Sequence, residues 1–409
     1  MTDQQTLARD SREAIGFGEF VAMIAALMAI IALSIDSMLP ALPAIAESLN
    51  VTNPNDRQWI IAAFLLGFGG AQLIHGPLSD RFGRRPVLLT SLALGAVFSL
   101  VAAVSASFEL LIAARVACGM AVASSRVLAI SIVRDRYSGR QMARVMSLAF
   151  MVFMAAPILA PAAGQLILLV APWRWIFGVL ALASTILFTW VSLRLPETLA
   201  PERRLPLTGR RIIEGWKITL SDRMSLGYTA ALALLQGALY GFINSVQQVF
   251  SDVFHAPYLL TPVFASVAGT MAITSYFNSR IVVRLGMRRI SQIGMVGFIL
   301  IAAIHLTVAV TGHESLLIFA LLQAMIMACF GLASANFGAM AMENMGGLAG
   351  TASSVQGFLG TVSGALIGLA IGQAFDGTTV PLYTGFLLCG LTALGVVAIT
   401  ERGLRFHAA

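Results

Sequence analysis

Long apolar segments, each about the length needed to cross a bilayer, recur along nearly the whole chain. A membrane-spanning helix needs about 20 mainly apolar residues. Only 11% of the residues are charged, against about a quarter in soluble domains. The sequence therefore predicts an all-α polytopic membrane protein with twelve transmembrane helices. These spans are predicted at residues 18–40, 58–76, 87–107, 109–133, 142–167, 173–193, 224–250, 259–281, 290–311, 315–337, 350–375 and 381–400.

The basic residues are distributed unevenly between the two sides of this predicted bundle. Of the 26 lysines and arginines, 22 fall in the termini or in the loops on the same side as residues 76–86. Arg57 and Arg174 lie on the opposite side, and Arg115 and Arg126 lie within a span. Cytoplasmic loops are enriched in basic residues. We therefore expect both termini to be cytoplasmic, and the net charge of +7 reflects topology rather than nucleic-acid binding.

The chain divides at its longest polar stretch, residues 194–223, into two sets of six spans. This stretch begins with three prolines and continues as a short amphipathic helix typical of a membrane surface. A weak repeat supports the division, because the Arg-x-Gly-x-Arg pattern of residues 81–85 recurs at 284–288. The sequence predicts an N-terminal six-helix bundle (1–193), a cytoplasmic linker (194–223) and a C-terminal bundle (224–409). Val283 replaces Asp80 in the second copy, so a switching role is expected in the first.

Asp36 is the only acid well inside a predicted span, and Arg115 and Arg126 are the intramembrane bases. A charged group at that depth is costly, so it is a functional hypothesis by default. Loss of hydration favours the protonated form of a carboxyl group, which makes Asp36 a plausible proton carrier with Arg115 as its partner. Because the Arg115 guanidinium stays charged, it must face an acid, a carbonyl cluster or a polar interior. The alternative is an acid–arginine pair that only fixes helix packing.

Arg126 lies eleven residues after Arg115, on nearly the same helix face and about 16 Å away. Two arginines against one acid favour neutral, zwitterionic or anionic substrates, whereas Arg126 could instead point to the cytoplasmic mouth. A polar stripe in span 7 predicts a cavity wall, or else hydrogen bonds between helices. The predicted cavity residues are Met38, Arg126, Gln236, Tyr240, Asn244, Gln247, Asn336 and Gln356.

Two further motifs predict moving parts. In the charged loop after span 2, Arg84 is placed to bridge Asp80 and Asp135, which would latch the cytoplasmic side closed. The full predicted latch contains Gly76, Asp80, Arg81, Gly83, Arg84, Arg134 and Asp135. In span 5, Pro157 and Pro161 are expected to kink the helix, in a motif that ends at Gly164.

The motifs that mark soluble enzymes and metal sites are missing from the sequence, among them His-Glu-x-x-His, Cys-x-x-Cys and Gly-x-Ser-x-Gly. We therefore expect no enzymatic activity, no bound metal and no cofactor, with a proton gradient as the energy source.

The loop at 76–86 resembles the signature loop of major facilitator superfamily transporters. Further motifs narrow the resemblance to the Bcr/CflA branch of drug:proton antiporters. They are residues 39–43, Arg115, 133–135, 156–164, 195–199 and 349–354. The resemblance implies export of small lipophilic compounds in exchange for protons, with Asp36 as the protonation site and Arg115 as its tuning partner. Met38 stands where relatives often have tyrosine, which puts the substrate range in question.

The resemblance also implies a monomer in the bacterial inner membrane, with a small molecule, protons and the lipid bilayer as its partners and no nucleic acid. Two alternatives remain open at this point. One is a proton-coupled importer of a small nutrient on the same fold, because fold alone does not set the direction of transport. The other is a membrane sensor that transports nothing.

Overall fold

The structure is a computed structural model of the chain and describes residues 15–204, 209–346 and 349–402. These ranges are helical throughout, without a β-strand, and the helices are joined by short turns. Twelve of the helical segments in the described ranges are long and apolar enough to cross a membrane. The prediction of an all-helical, twelve-span protein is therefore confirmed.

The helices of the spans are numbered here in chain order as spans 1 to 12. They are Phe17–Asp36, Trp59–Phe82, Arg84–Ala103, Phe108–Arg136, Gly139–Val170, Arg174–Arg194, Arg223–Gln248, Leu260–Leu285, Met287–Val310, Leu316–Ala341, Ala349–Gln373 and Val380–Glu401. Span 1 continues beyond its break as Leu42–Ser48. A surface helix, Gly209–Ser221, follows span 6.

Span 1 is interrupted in the middle of its apolar segment. Its first helix ends at Asp36, a 3-10 turn covers Leu39–Ala41, and a short helix then follows. Pro40 and Pro43 stand at the start of these two pieces. Proline has no N–H to donate and clashes with the preceding turn, so two prolines three residues apart favour a break here. The break leaves Asp36 at a helix end.

The repeated Arg-x-Gly-x-Arg pattern has the same backbone shape in both copies. Gly83 has a φ of 101° between spans 2 and 3, and Gly286 has a φ of 78° between spans 8 and 9. Positive φ values are readily adopted only by glycine, so both sharp reversals need it. The weak sequence repeat is thus a repeated helix–turn–helix unit.

The spans of each set pack mainly against one another, and contacts between the sets run through spans 2 and 11 and through spans 5 and 8. Inside the first set, a Cβ atom at Gly67 or Gly119 would collide with backbone oxygens of the facing helix, so glycine allows spans 2 and 4 to touch. Small residues have this role where lipid removes the hydrophobic drive for association.

The predicted amphipathic helix in the linker is present as the surface helix, and Gly215 packs beside Thr351 at the start of span 11. Residues 205–208 lie outside the described part of the chain. The domain boundaries at 193 and 223 stay predictions, as does the cytoplasmic placement of both termini, whose outermost residues are also outside the described ranges.

Candidate functional site

A cavity lies between the two sets of spans and has Asp36 in its wall. The open space between its walls, mouth included, is about 470 Å³. Asp36 and Pro157 come from the first set of spans, and the other wall residues are apolar and come from the second. They are Leu239, Phe242, Ile243, Phe264, Val267, Ala268, Met271 and Met327. The cavity therefore combines one carboxyl group with an otherwise apolar surface.

Asp36 is buried, and its Oδ1 atom has no hydrogen-bond partner in the described part of the chain. The neighbouring Ser37 hydroxyl also lacks one. A buried ionised carboxylate without partners is strongly disfavoured. Asp36 is thus free to bind a proton or a ligand, and the break in span 1 directs it to the interface between the two sets.

The span 5 motif packs directly on this break. A Cβ atom at Gly164 would collide with the carbonyl oxygen of Ser37, the residue after Asp36. Pro157, two turns earlier in the motif, lines the cavity. Both prolines lie inside one continuous helix. The structure thus brings the predicted proton site and the predicted kink motif together, a proximity that the sequence did not reveal.

Arg115 does not pair with Asp36, which corrects the expectation of a direct ion pair. Among the described residues its Nε donates to the carbonyl of Ile60 at 2.9 Å and its Nη2 to that of Ser34 at 2.8 Å. Its guanidinium also lies over the Phe64 ring, 4.5 Å from the centroid. Arg115 therefore ties the last turn of span 1 before Asp36 to spans 2 and 4. The role of Arg115 in proton coupling stays a prediction. Arg115 would have that role by holding the end of span 1, and with it Asp36, in place.

The polar stripe of span 7 faces span 11 rather than the apolar cavity described above. Gln236 and Tyr240 occupy the space beside the span 11 glycines, and Asn244 lies beside Gly372. On the cavity side, span 7 presents Leu239, Phe242 and Ile243. The polar residues fall at helical spacing, but that spacing does not say which neighbour the stripe meets.

The other predicted cavity residues are distributed around the bundle. Asn336 donates to Asn278 and Gln356 donates to Ser225, both at 2.9 Å, and the Gln247 amide donates to Ser251 at 2.8 Å. The bonds of Asn336 and Gln356 join different spans, whereas the Gln247 bond stays within one helical segment, so both interpretations of the span 7 stripe stay predictions. Met38 is fully buried. A role for these residues in substrate binding stays a prediction.

Arg126 is exposed in span 4, and it is not among the residues that line the cavity described above. Its predicted position in the cavity and the alternative at the cytoplasmic mouth both stay predictions.

The contacts predicted for Arg84 are present. Its Nη1 donates to Asp80 at 2.6 Å and its Nε donates to Asp135 at 3.0 Å, and the side chain is almost fully buried. The reversal at Gly83 is held by Glu197, which accepts hydrogen bonds from the first two backbone N–H groups of span 3. Glu197 lies in one of the matching segments, but its capping role was missed. The signal in the sequence that could have indicated this role is an acid directly after the Leu-Pro pair that follows span 6.

The remaining latch residues reach the second set of spans. A Cβ atom at Gly76 would lie 3.3 Å from the hydroxyl of Ser354, and one at Gly350 would lie 3.7 Å from Arg134. Arg81 is exposed. The cluster therefore lies against the start of span 11. Its predicted function as a conformational latch is not tested by these contacts.

The second set has a charge cluster at the same end, although Val283 replaces the acid. Arg288 pairs with Glu343 at 3.0 Å and with Glu401 at 2.9 Å, and Tyr228 donates to Glu401. The expectation that the first copy has the switching role stays a prediction. The acids of this second cluster come from the ends of spans 10 and 12, which lie outside the repeated loop pattern, so the repeat did not indicate them.

Comparison with known proteins identifies the family. The profile of the Major Facilitator Superfamily matches residues 22–369. The chain belongs to this superfamily. This transporter is 31% identical to a Bacillus subtilis (strain 168) protein named uncharacterized MFS-type transporter YdgK, over 86% of the chain and 87% of that protein. It is 28% identical to the bicyclomycin resistance protein homolog of Haemophilus influenzae, over 91% of the chain and 93% of the relative.

Multidrug resistance protein D of Escherichia coli (strain K12) is 33% identical over half of each chain. These relatives support the Bcr/CflA drug:proton antiporter branch. The crystal structure of the human organic anion transporter MFSD10 has the same fold, with a TM-score of 0.66, 20% identity, and coverage of 94% of this transporter and 98% of that chain. The chain is thus a multi-pass membrane transporter of the major facilitator fold.

Proposed function

We propose that this transporter is a proton-coupled antiporter that exports small lipophilic compounds from the cytoplasm. The observation that carries the proposal is Asp36, whose buried Oδ1 atom has no hydrogen-bond partner among the described residues and which lines an apolar cavity between the two sets of spans. Relatives named for bicyclomycin and multidrug resistance support the same function. The proposed location is the bacterial inner membrane, with a monomer as the working unit.

The coupling follows from the cost of an unpaired charge. When Asp36 is ionised, the apolar wall cannot compensate it, so the site favours a proton or a bound compound that satisfies the carboxylate. A proton taken up at the Asp36 carboxylate from outside and released inside would reset the site for the next compound. The cavity alternates between the two sides as the halves rock, and no cofactor or chemical change of the substrate is needed.

The apolar wall defines the substrate class in this proposal. Phe242, Phe264 and two methionines offer a surface suited to aromatic or aliphatic bodies, because methionine adapts its shape to different ligands. A single carboxyl group then provides the polar contact.

The test is an Asp36→Asn variant in everted membrane vesicles, challenged with a panel of labelled antibiotics under an imposed pH gradient. Asparagine preserves the size of the side chain and removes its titration. We expect normal membrane insertion and loss of gradient-driven transport. Undiminished active transport by this variant would overturn the role of Asp36. Accumulation of a compound by energised cells would indicate an importer, and equal flux with and without the protein over the whole panel would indicate a sensor.

A further inference from the structure

The end of the bundle opposite the 76–86 loop is closed by hydrogen bonds between the two sets of spans. Gln58, just before span 2, donates its Nε2 to Gln248 of span 7 at 2.6 Å and to the carbonyl of Gly372 at 2.8 Å. Both glutamines are almost fully buried. The cluster thus joins the halves where spans 2, 7 and 11 meet.

Asn55 extends the same cluster. It donates to the carbonyls of Gln373 and Phe375 at 3.1 and 3.0 Å, and its Oδ1 accepts from Gln248 at 2.6 Å. In return, the Gln373 amide donates to the carbonyl of Asn55 at 2.8 Å. We call Asn55, Gln58, Gln248 and Gln373 the amide seal.

An ion pair lies beside the amide seal, between Arg57 and Asp252 at 3.0 Å. It also joins the two halves, but the Asp252 side chain is 43% exposed. Exposed pairs contribute little because water screens them. The buried amides therefore dominate the closure of this end.

The amide seal lies just beyond the cavity. Ile243 lines the cavity, and Gln248 follows it by five residues, or about 7.5 Å along the helix. Between them is Asn244, which is buried and has no hydrogen-bond partner for either amide atom among the described residues. The seal therefore joins the halves just beyond the level of the cavity, on the side of span 7 that meets spans 2 and 11.

The opposite end of the interface is different. In the last part of span 8, from residue 276 to residue 285, nearly every side chain is exposed or partly exposed, and Asn278 is the buried exception. The outer half of the same helix is anchored by buried Leu260, Phe264 and Val267. Span 8 is thus packed more closely at the end of the seal than towards the end of the 76–86 loop.

Amide groups suit a closure that must open repeatedly. A protein hydrogen bond between neutral groups is replaced on opening by bonds to water, so its net contribution is small. By contrast, an amide that has no hydrogen-bond partner in a closed interface without water raises the free energy by more than one such bond contributes. The two effects together favour either a fully bonded or a fully hydrated state over a partly open one.

We propose that the amide seal is the outer gate of the transport cycle. It holds the outer end shut while the cavity communicates with the cytoplasm, and its hydration opens the cavity to the outside. The proposal rests on the proposed function, which says that this end faces outwards and that the protein passes through a transport cycle. It assigns the gate to four residues that the sequence had not indicated.

The test measures the opening of this end directly, by the distance between two spin labels on the full-length protein in nanodiscs. The labels are placed on cysteines at Glu47 and Tyr258, which are exposed at this end in different halves, after replacement of the native cysteines by serine. The test variant is Gln58→Ala with Gln248→Ala. The control is Gln323→Ala, a buried glutamine bonded to Tyr383 within one half.

The double variant removes the hydrogen bonds of Gln58 and Gln248 across the interface. One net bond corresponds to a factor of about five in an equilibrium constant, so the ratio of long to short distances should rise at least about tenfold. Asn55→Ala should change the ratio in the same direction, and it is the second test if the double variant does not fold. The control should leave the ratio unchanged.

An unchanged distance distribution in folded double or Asn55→Ala protein would overturn the gate, and so would an equal shift in the control. The measurement needs neither a substrate nor a proton gradient, so it is independent of the antiport assay. A clear shift without gradient-driven transport in the wild-type protein would preserve the gate and refute the proposed antiport.

Discussion

Gly164→Ala tests whether the contact between span 5 and the break in span 1 positions Asp36. The added Cβ atom would lie 2.8 Å from the carbonyl carbon of Ser37 and closer still to its oxygen. Favourable contacts between such atoms need about 3.5 Å or more, so the helices must separate by about 1 Å. Overpacking of this kind typically costs about 1–3 kcal/mol.

A displacement of about 1 Å at a functional group can reduce a rate about a hundredfold. We therefore expect Gly164→Ala to reduce the initial rate of pH-gradient-driven efflux by about 10- to 100-fold, with a lower midpoint of thermal unfolding. The assay is uptake of a labelled substrate into everted vesicles at matched protein levels. The matched control is Gly70→Ala, also within a helix, where a Cβ atom would meet nothing within 4 Å.

The reasoning fails if Gly164→Ala transports within twofold of the wild type while Gly70→Ala does the same. It also fails if both variants lose activity equally, because a general effect of alanine in the helix would then explain the loss. Only a selective loss at Gly164 supports positioning of Asp36 by the neighbouring backbone.

Three further predictions concern the charged groups at the ends of the bundle. Arg84→Ala should weaken the latch by about 2 kcal/mol and slow transport, whereas Arg210→Ala, which removes an exposed pair in the surface helix, should leave vesicle transport unchanged. Glu197→Ala should lower thermal stability by about 1 kcal/mol, because two N–H groups at the start of span 3 lose their acceptor; an unchanged unfolding midpoint would contradict this. Asp252→Asn should increase opening of the outer end only slightly, by less than about 1 kcal/mol, and high salt should abolish the difference in the spin-label distances.

The contacts of the charged loop were accessible to sequence reasoning because much of the information is local. Asp80 and Arg84 are four residues apart, so helical geometry at the end of span 2 brings them together. Asp135 was included because it ends a span on the same side. Glu197 and the partners of Arg288 come from helix ends far along the chain, where no local spacing could indicate them.

The sequence left open whether Arg115 meets an acid, a carbonyl cluster or a polar interior, and it could not say which carbonyls. Arg115 binds the backbone carbonyls of Ser34 and Ile60. Because every residue has a backbone carbonyl, the amino-acid sequence does not indicate which carbonyls will bind the arginine. The sequence instead offered Asp36 as the visible opposite charge. The amide seal was missed for a related reason, because glutamines at the ends of spans are unremarkable until the two halves meet.

The sequence by itself determined that this chain has twelve membrane spans, where they lie and which acid is buried among them. These properties depend on hydropathy summed over single segments, and a bilayer imposes the same length on each segment independently of its neighbours. Only the tertiary structure decided that Asp36 faces an apolar wall from the other half, that the neighbouring Ser37 packs against Gly164 and that four amides join the halves at the outer end. Those properties depend on which helix faces meet, and helix–helix packing in a membrane is selected by close contacts between distant segments.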